Sequence, residues 1–152
     1  MEGYINKDFK WSEFISDKDK PSQEILDNIR RVAYVLSVYK HKLFNGQPIT
    51  ITSGYRSPEH QIEVYRQKGI TDKSKIPMGS YHLKGLAADF VVKGFTPSQV
   101  YRILDIRHWG GLELAPTWTH LDLRGKLIRF NDNNKVLAHH YNVIEHDKVF
   151  KK

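Results

Sequence analysis

Apolar residues recur at spacings of three, four and seven from Ile25 through Ile29, Val32 and Leu36 to Leu43, one face of a helix. The pattern predicts a helix from Pro21 to about Leu43. Pro21 suits a first helical turn, Glu24 and Asp27 lie near the positive end of the dipole, and Asn45-Gly46 stops it. Ile49 to Ser53 reads as a strand that breaks at Gly54. A second helix opens at Pro58 and Glu59, presents Ile62 and Tyr65 as its apolar face, and ends at Gly69. The run "ITDKSKIPMGSYHLKG" is a long loop, of a length that often carries function inside a compact domain. "AADFVV" is a buried strand, and "TPSQVYRILDI" a third helix with Thr96 as N-cap and Pro97 in its first turn. "WGGLEL" and "TWTHLDLRG" are strands around a turn at Ala115-Pro116, and "KLIRF-NDNN-KVLAHH" resembles a hairpin.

The two ends read differently from the middle. Phe9, Trp11 and Phe14 precede a polar turn closed by Pro21, so residues 1–20 are expected to dock their aromatics onto the domain. The last dozen residues are polar and are expected to be loose. No repeat, low-complexity tract or linker interrupts the 152 residues. We therefore expect one domain over 1–152, with a docking segment at 1–20 and a C-terminal hairpin and tail at 126–152. Helices early and strands late point to an α+β fold on a mainly antiparallel sheet.

Composition narrows the chemistry. There is no cysteine, so disulfides and thiolate metal ligands are excluded, and a transition-metal site must use histidine and carboxylate. No apolar run approaches the length of a membrane span, and the start, "MEGYINKDFKWSEF", lacks the apolar core of a secretory signal. The expected place of synthesis is thus the cytoplasm, with another route needed for any action outside. The net charge of +7 is dispersed along the chain without a basic helix or stripe. Dispersed charge suits a polyanionic surface such as a cell wall, or solubility alone, and no motif supports a specific nucleic-acid partner.

"GSYHLKGLAADFVV" places His82 and Asp89 seven positions apart with small residues between them, just ahead of an apolar strand. From spacing alone two readings stay open, a tight turn with two polar groups and part of a metal site. Catalytic zinc takes three protein ligands and an open position, and the third could be His120. On that strand Trp118, His120, Asp122 and Arg124 alternate with Thr119, Leu121 and Leu123, giving one polar and one apolar face.

Taken in order, "SGYRSPEHQ", "GSYHLKGLAADF" and "WTHLDLRG" resemble the zinc peptidase family of D-Ala-D-Ala carboxypeptidases and L-Ala-D-Glu endopeptidases, which cleave peptidoglycan. The family pattern Ser-x-His-x-x-Gly-x-Ala-x-Asp with a later histidine falls on Ser80, His82, Gly85, Ala87, Asp89 and His120, and the likeness runs from about Ser53 to Gly125. It implies the hedgehog/DD-peptidase fold, a Zn2+ ion held by His82, Asp89 and His120, and peptidoglycan stem peptides as substrate. It also implies that Arg56 contacts substrate carboxylate or carbonyl oxygens; the competing role for Arg56 is a salt bridge to Glu59 or Glu63. Ser80, Tyr55 and Gln61 are further candidates for the substrate side, while Trp118 reads as packing.

Two residues compete for the general base. Several relatives carry a glutamate three residues before the second histidine, but position 117 here is threonine and Glu113 lies seven before His120. Glu113 sits on the preceding strand and can lie beside His120. Asp122 shares a face with His120, and its alternative role is to fix that imidazole. The resemblance thus implies a zinc peptidase acting as a carboxypeptidase or an endopeptidase, expected as a monomer. A short domain without a wall-binding module fits a phage-type endolysin. The competing reading is a non-catalytic wall-binding or structural protein on the same fold.

Overall fold

The computed structural model describes residues 3–151. Five helices and five strands follow the order α1 (Trp11–Phe14), α2 (Gln23–Leu43), β1 (Ile49–Ser53), α3 (Pro58–Gln67), β2 (Ala87–Val92), α4 (Pro97–Asp105), β3 (Gly111–Leu114), β4 (Thr119–Asp122), β5 (Ile128–Asn131) and α5 (Val143–Phe150). Two short 3-10 turns, Lys73–Lys75 and Tyr81–Lys84, punctuate the long loop. The class is α+β, as expected. The sheet order is β1-β2-β4-β3-β5, antiparallel except for the parallel pair β3-β5.

Alternation along the strands builds the core. Ile49 and Ile51 lie opposite Val92 and Phe90, Ala88 opposite Leu121, and Leu112 opposite Leu121 on the other side. These share one face of the sheet, and α2 covers it with Ile29, Val32, Ala33 and Leu36. Ser22, rather than Pro21, caps α2 by accepting from the Ile25 amide, so the helix starts two residues later than its apolar spacing suggests. Thr96 and Gln99 form a reciprocal capping box on α4, which buries Val100 and Leu104. The N-terminal aromatics dock as expected: Phe9, Trp11 and Phe14 are buried, and Phe9 meets Phe14 edge to face.

Two expectations need correction. On α3 the buried residue is Gln61, whereas Ile62 and Tyr65 are only partly covered. That helix lies at the margin of the core, and its inward residue is polar because it has polar work to do there. The segment after Gly125 does form a hairpin, short in its pairing. Phe130 and Val136 bridge antiparallel, with the Asn131 and Leu137 amides donating to the Lys135 and Arg129 carbonyls, while the first arm, β5, also joins β3 in parallel. The C-terminal residues are not loose. Asn142 caps α5 with its side chain, Val149 is buried, and Phe150 packs on Tyr39 of α2. An eight-residue helix with Val143 and Ile144 exposed leaves almost no periodic signal.

A buried cation staples this end of the sheet. Arg129 of β5 is fully buried and donates to the Asp105 carboxylate and to the carbonyls of Asp105, His108, Gly110 and Ile128. Removing such a group leaves a buried carboxylate and several acceptors without donors. Arg129→Ala is therefore expected to destabilise the fold by about 3–5 kcal/mol, read from the midpoint and slope of a urea unfolding curve.

Candidate metal centre

The site grows from one transverse row of the sheet. Register places Ser53 opposite Asp89, Asp89 opposite His120, His120 opposite Glu113, and Glu113 opposite Phe130. Facing residues on adjacent strands share a face, so this row projects from the side of the sheet away from α2. His82 arrives from outside the sheet, on the 3-10 turn Tyr81–Lys84. Ser80 caps that turn by accepting from the His82 amide, and Gly85 ends it in the left-handed region at φ 71°. A side chain at position 85 would also strike Ile25, so the glycine lets the turn press against α2.

His82, Asp89 and His120 each offer a ligand atom, and these atoms lie within 4.8 Å of one another. His82 Nε2 is 3.3 Å and His120 Nδ1 2.9 Å from Asp89 Oδ1. The far nitrogen of each ring is already held. His82 Nδ1 donates to the Gly54 carbonyl at 2.8 Å, which turns Nε2 toward Asp89. His120 Nε2 meets Asp122 Oδ2 at 2.8 Å, which turns Nδ1 the same way. Two imidazole nitrogens and a carboxylate oxygen, converging and oriented from behind, are a donor set that fits a zinc ion.

Electrostatics follow from this crowding. Burial pushes the Asp89 carboxyl up, but hydrogen bonds from His120 and His82 outweigh it and hold it well below the usual range. Burial pushes His120 down, yet Asp122 and Asp89 together raise it to about 9. Asp122, also buried, is held low by Arg124 and His120. Glu113 behaves oppositely. It is half-buried, and desolvation raises its pKa, with the Asp89 charge adding to the rise and His120 opposing it.

The remaining candidates separate clearly. Asp122 is fully buried and meets the His120 ring at the nitrogen opposite the one turned toward Asp89. It takes hydrogen bonds from the Gly111 amide at 3.0 Å and from Arg124 Nε and Nη2 at 2.8 and 2.6 Å, besides meeting His120. Glu113 stands in the row itself, one strand over from His120. Arg56 does not pair with Glu59 or Glu63. Its Nε donates to Ser53 Oγ, Nη1 donates to Gln61 Oε1, and Nη2 is 3.8 Å from Asp89 Oδ2. Gln61 is fully buried beneath it and donates onward to the Pro77 carbonyl, so it braces Arg56 and the long loop instead of lining a cleft. Tyr55 is buried and its amide donates to Phe14, and Trp118 is half-buried just before β4.

His108, next to Trp109, has no spacing in the sequence that demands a place at the site, yet the structure gives it one. It is fully buried, its Nε2–H donates to the Asp122 carbonyl at 2.8 Å, and its Nδ1 accepts from the Tyr39 hydroxyl at 2.8 Å. Of the two neutral tautomers, the Nε2–H form is the one that satisfies both. The one available signal was the pair Gly110-Gly111. A Cβ at Gly111 would overlap the Asp122 carboxylate, and one at Gly110 would overlap the Asp122 carbonyl.

The fold and site define an α+β domain with a two-histidine, one-aspartate metal group on one sheet face. Residues 7–122 match the family model of Peptidase M15, and the chain belongs to that family. Among solved structures, it is similar to a variant of VanY, a vancomycin-resistance D,D-pentapeptidase from a VanB-type cassette, crystallised with Zn(II). The identity is 27% over 61% of this chain and 59% of that one, with a TM-score of 0.36. The chain thus spans about three-fifths of that relative's length. No curated protein matches.

Burial lowers the pKa of His108 to about 4 from its ordinary 6.5. The unfolded chain then binds a proton below pH 6.5 that the folded chain refuses until about pH 4. Stability from this group is complete above 6.5 and falls as pH drops toward 4, by on the order of 3 kcal/mol. His108→Gln should flatten that part of the pH dependence, measured as the difference in unfolding free energy between pH 7 and pH 4 against wild type.

Proposed function

We propose that this chain is a zinc-dependent peptidase that hydrolyses peptide bonds in peptidoglycan stem peptides. The observation that carries it is the convergence of His82, Asp89 and His120 beside Glu113 in one row of the sheet, in a chain of the M15 family. In this reading His82, Asp89 and His120 hold the ion. Zinc in such a site supplies a Lewis acid that acidifies water and polarises the scissile carbonyl.

The chain's own residues do the rest. Glu113 is the general base: its carboxylate takes a proton from the attacking water and returns it to the leaving amine nitrogen. Partial burial raises its proton affinity, which suits a group that must accept a proton and release it within one turnover. Asp122 is fully engaged behind His120, so it serves as the positioning residue for that imidazole. Arg56, braced by Ser53 and Gln61, presents a planar guanidinium next to Asp89 and is the group for substrate carboxylate or carbonyl oxygens. Ser80 acts through His82 by capping its turn. Tyr55 flanks Arg56 on the substrate side. The whole chain works as one domain and as a monomer, on the cell wall, as an endolysin would. Among the described residues no helix is long and apolar enough to cross a membrane.

Digestion of purified peptidoglycan, with and without chelator and then with zinc restored, tests this reading. Mass spectrometry of the new termini identifies the bond cut. Activity should disappear with chelator and return with zinc; activity indifferent to chelator would sink the proposal. Glu113→Gln should retain stoichiometric zinc by elemental analysis while losing about 10²–10⁴-fold in kcat. His120→Ala should lose both metal and activity.

A further inference from the structure

A second concavity borders the Arg56 turn, and its chemistry differs from that of the metal group. Tyr55, Ser57, Glu59 and His60 form one wall and Lys18 and Asp19 the other, around a cavity of about 700 Å³. The Asp19 side chain is only 8% exposed. Its Oδ2 is buried and has no hydrogen-bond partner among the described residues. The His60 ring comes closest, with its Nδ1 3.6 Å away, beyond hydrogen-bonding reach. A buried carboxylate oxygen without a donor is costly, and native structures rarely keep one unless something else supplies the proton.

What Asp19 Oδ2 lacks is a donor within reach. The Tyr55 hydroxyl and the Glu59 carboxylate lie near Asp19, and burial together with these two acids raises the Tyr55 pKa. Glu59 has no ion-pair partner among the described residues, whereas Glu63, on the same rim, is bound to Arg66. Lys18 and Lys20 are exposed and can carry their charges into solvent. An anion would meet Asp19 and Glu59, so the cavity is mismatched to it. A metal ion is equally unsuited, because the cavity's Asp19, Glu59 and His60 do not bring three ligand atoms together as His82, Asp89 and His120 do. A primary ammonium, with three donors on a flexible stem, matches the orphaned oxygen and the acceptors beside it.

We propose that this cavity is a subsite for a primary ammonium group carried by the peptide substrate, with the Asp19 carboxylate as its acceptor. This rests on the peptidase reading above. The placement suits it: Tyr55 and Ser57 line the cavity while Arg56, between them, reaches toward Asp89. A peptide gripped at Arg56 runs along the same turn and can deliver an amine-bearing side chain to Asp19. The subsite would favour stem peptides whose diamino acid keeps its side-chain amine free.

Two peptides of one sequence, with the lysine side-chain amine free or acetylated, test this in wild type and in Asp19→Asn. Wild type should prefer the free amine by about tenfold or more in kcat/KM, mainly through KM. Asp19→Asn should bring the ratio near one by losing the preference for the free amine. Equal use of both peptides by wild type, or a preference that survives in Asp19→Asn, overturns the subsite. Binding is read separately by NMR titration of wild type with Nα-acetyl-lysine amide, following the Asp19 carboxyl carbon, with Nα-acetyl-norleucine amide as control. A shift with lysine alone supports the subsite even if neither peptide is cut, in which case the peptidase reading fails instead. No shift, or the same shift with norleucine, overturns it.

Discussion

The burial of the Asp122 carboxylate is the constraint on which the site depends. A fully buried charge must have partners on every side, and this one has the Gly111 amide, the Arg124 guanidinium and the His120 ring. Each partner fixes something else. Gly111 has no side chain because the carboxylate occupies that space. Arg124 is held flat enough to cover the Tyr81 ring, next to His82. His120 is locked with its other nitrogen toward Asp89. Behind Asp122, His108 and Tyr39 tie the same residue's carbonyl into the hydrophobic core. The orientation of the His120 imidazole is thereby set by packing several residues deep.

Sheet register does the second part. Because Asp89, His120 and Glu113 occupy one row on three adjacent strands, their spacing is set by backbone hydrogen bonding and needs no special loop. A slip of one residue would send all three to the core face. The apolar row beside them, with Ala88, Leu121 and Leu112 packed under α2, makes such a slip prohibitive. The long loop is the freer component, and it is fastened where it matters: Gln61 holds Pro77, Ser80 caps the His82 turn, and His82 is tied to Gly54.

The residues around the Arg56 turn show why equivalent polar groups take different roles. Gln61 and Asp19 are both largely buried, yet Gln61 is satisfied within the chain and Asp19 is not. Glu113 and Asp122 are both acids near His120. Half-burial leaves one with a raised pKa and room to exchange protons, whereas complete enclosure by donors keeps the other charged and fixed. Side-chain chemistry is the same in each pair, and surroundings make the difference.

Much of this is legible in the amino-acid sequence. Apolar spacing marks α2, capping residues mark α4, and alternation on "TWTHLDLRG" puts His120 and Asp122 on the polar face. Local pattern and residue type suffice to specify helices, strands and donor chemistry. The order of the three motifs, through the family resemblance, singles out His82, Asp89 and His120 as the group that could hold a metal ion. Only the tertiary structure decided which carboxylate stands in the open row and which is sealed behind the imidazole. It also decided that the C-terminal residues fold back as a helix, that Gln61 turns inward and that His108 supports the site. Those outcomes depend on which side chains meet across strands and helices distant in the chain, and on what burial then does to a charge.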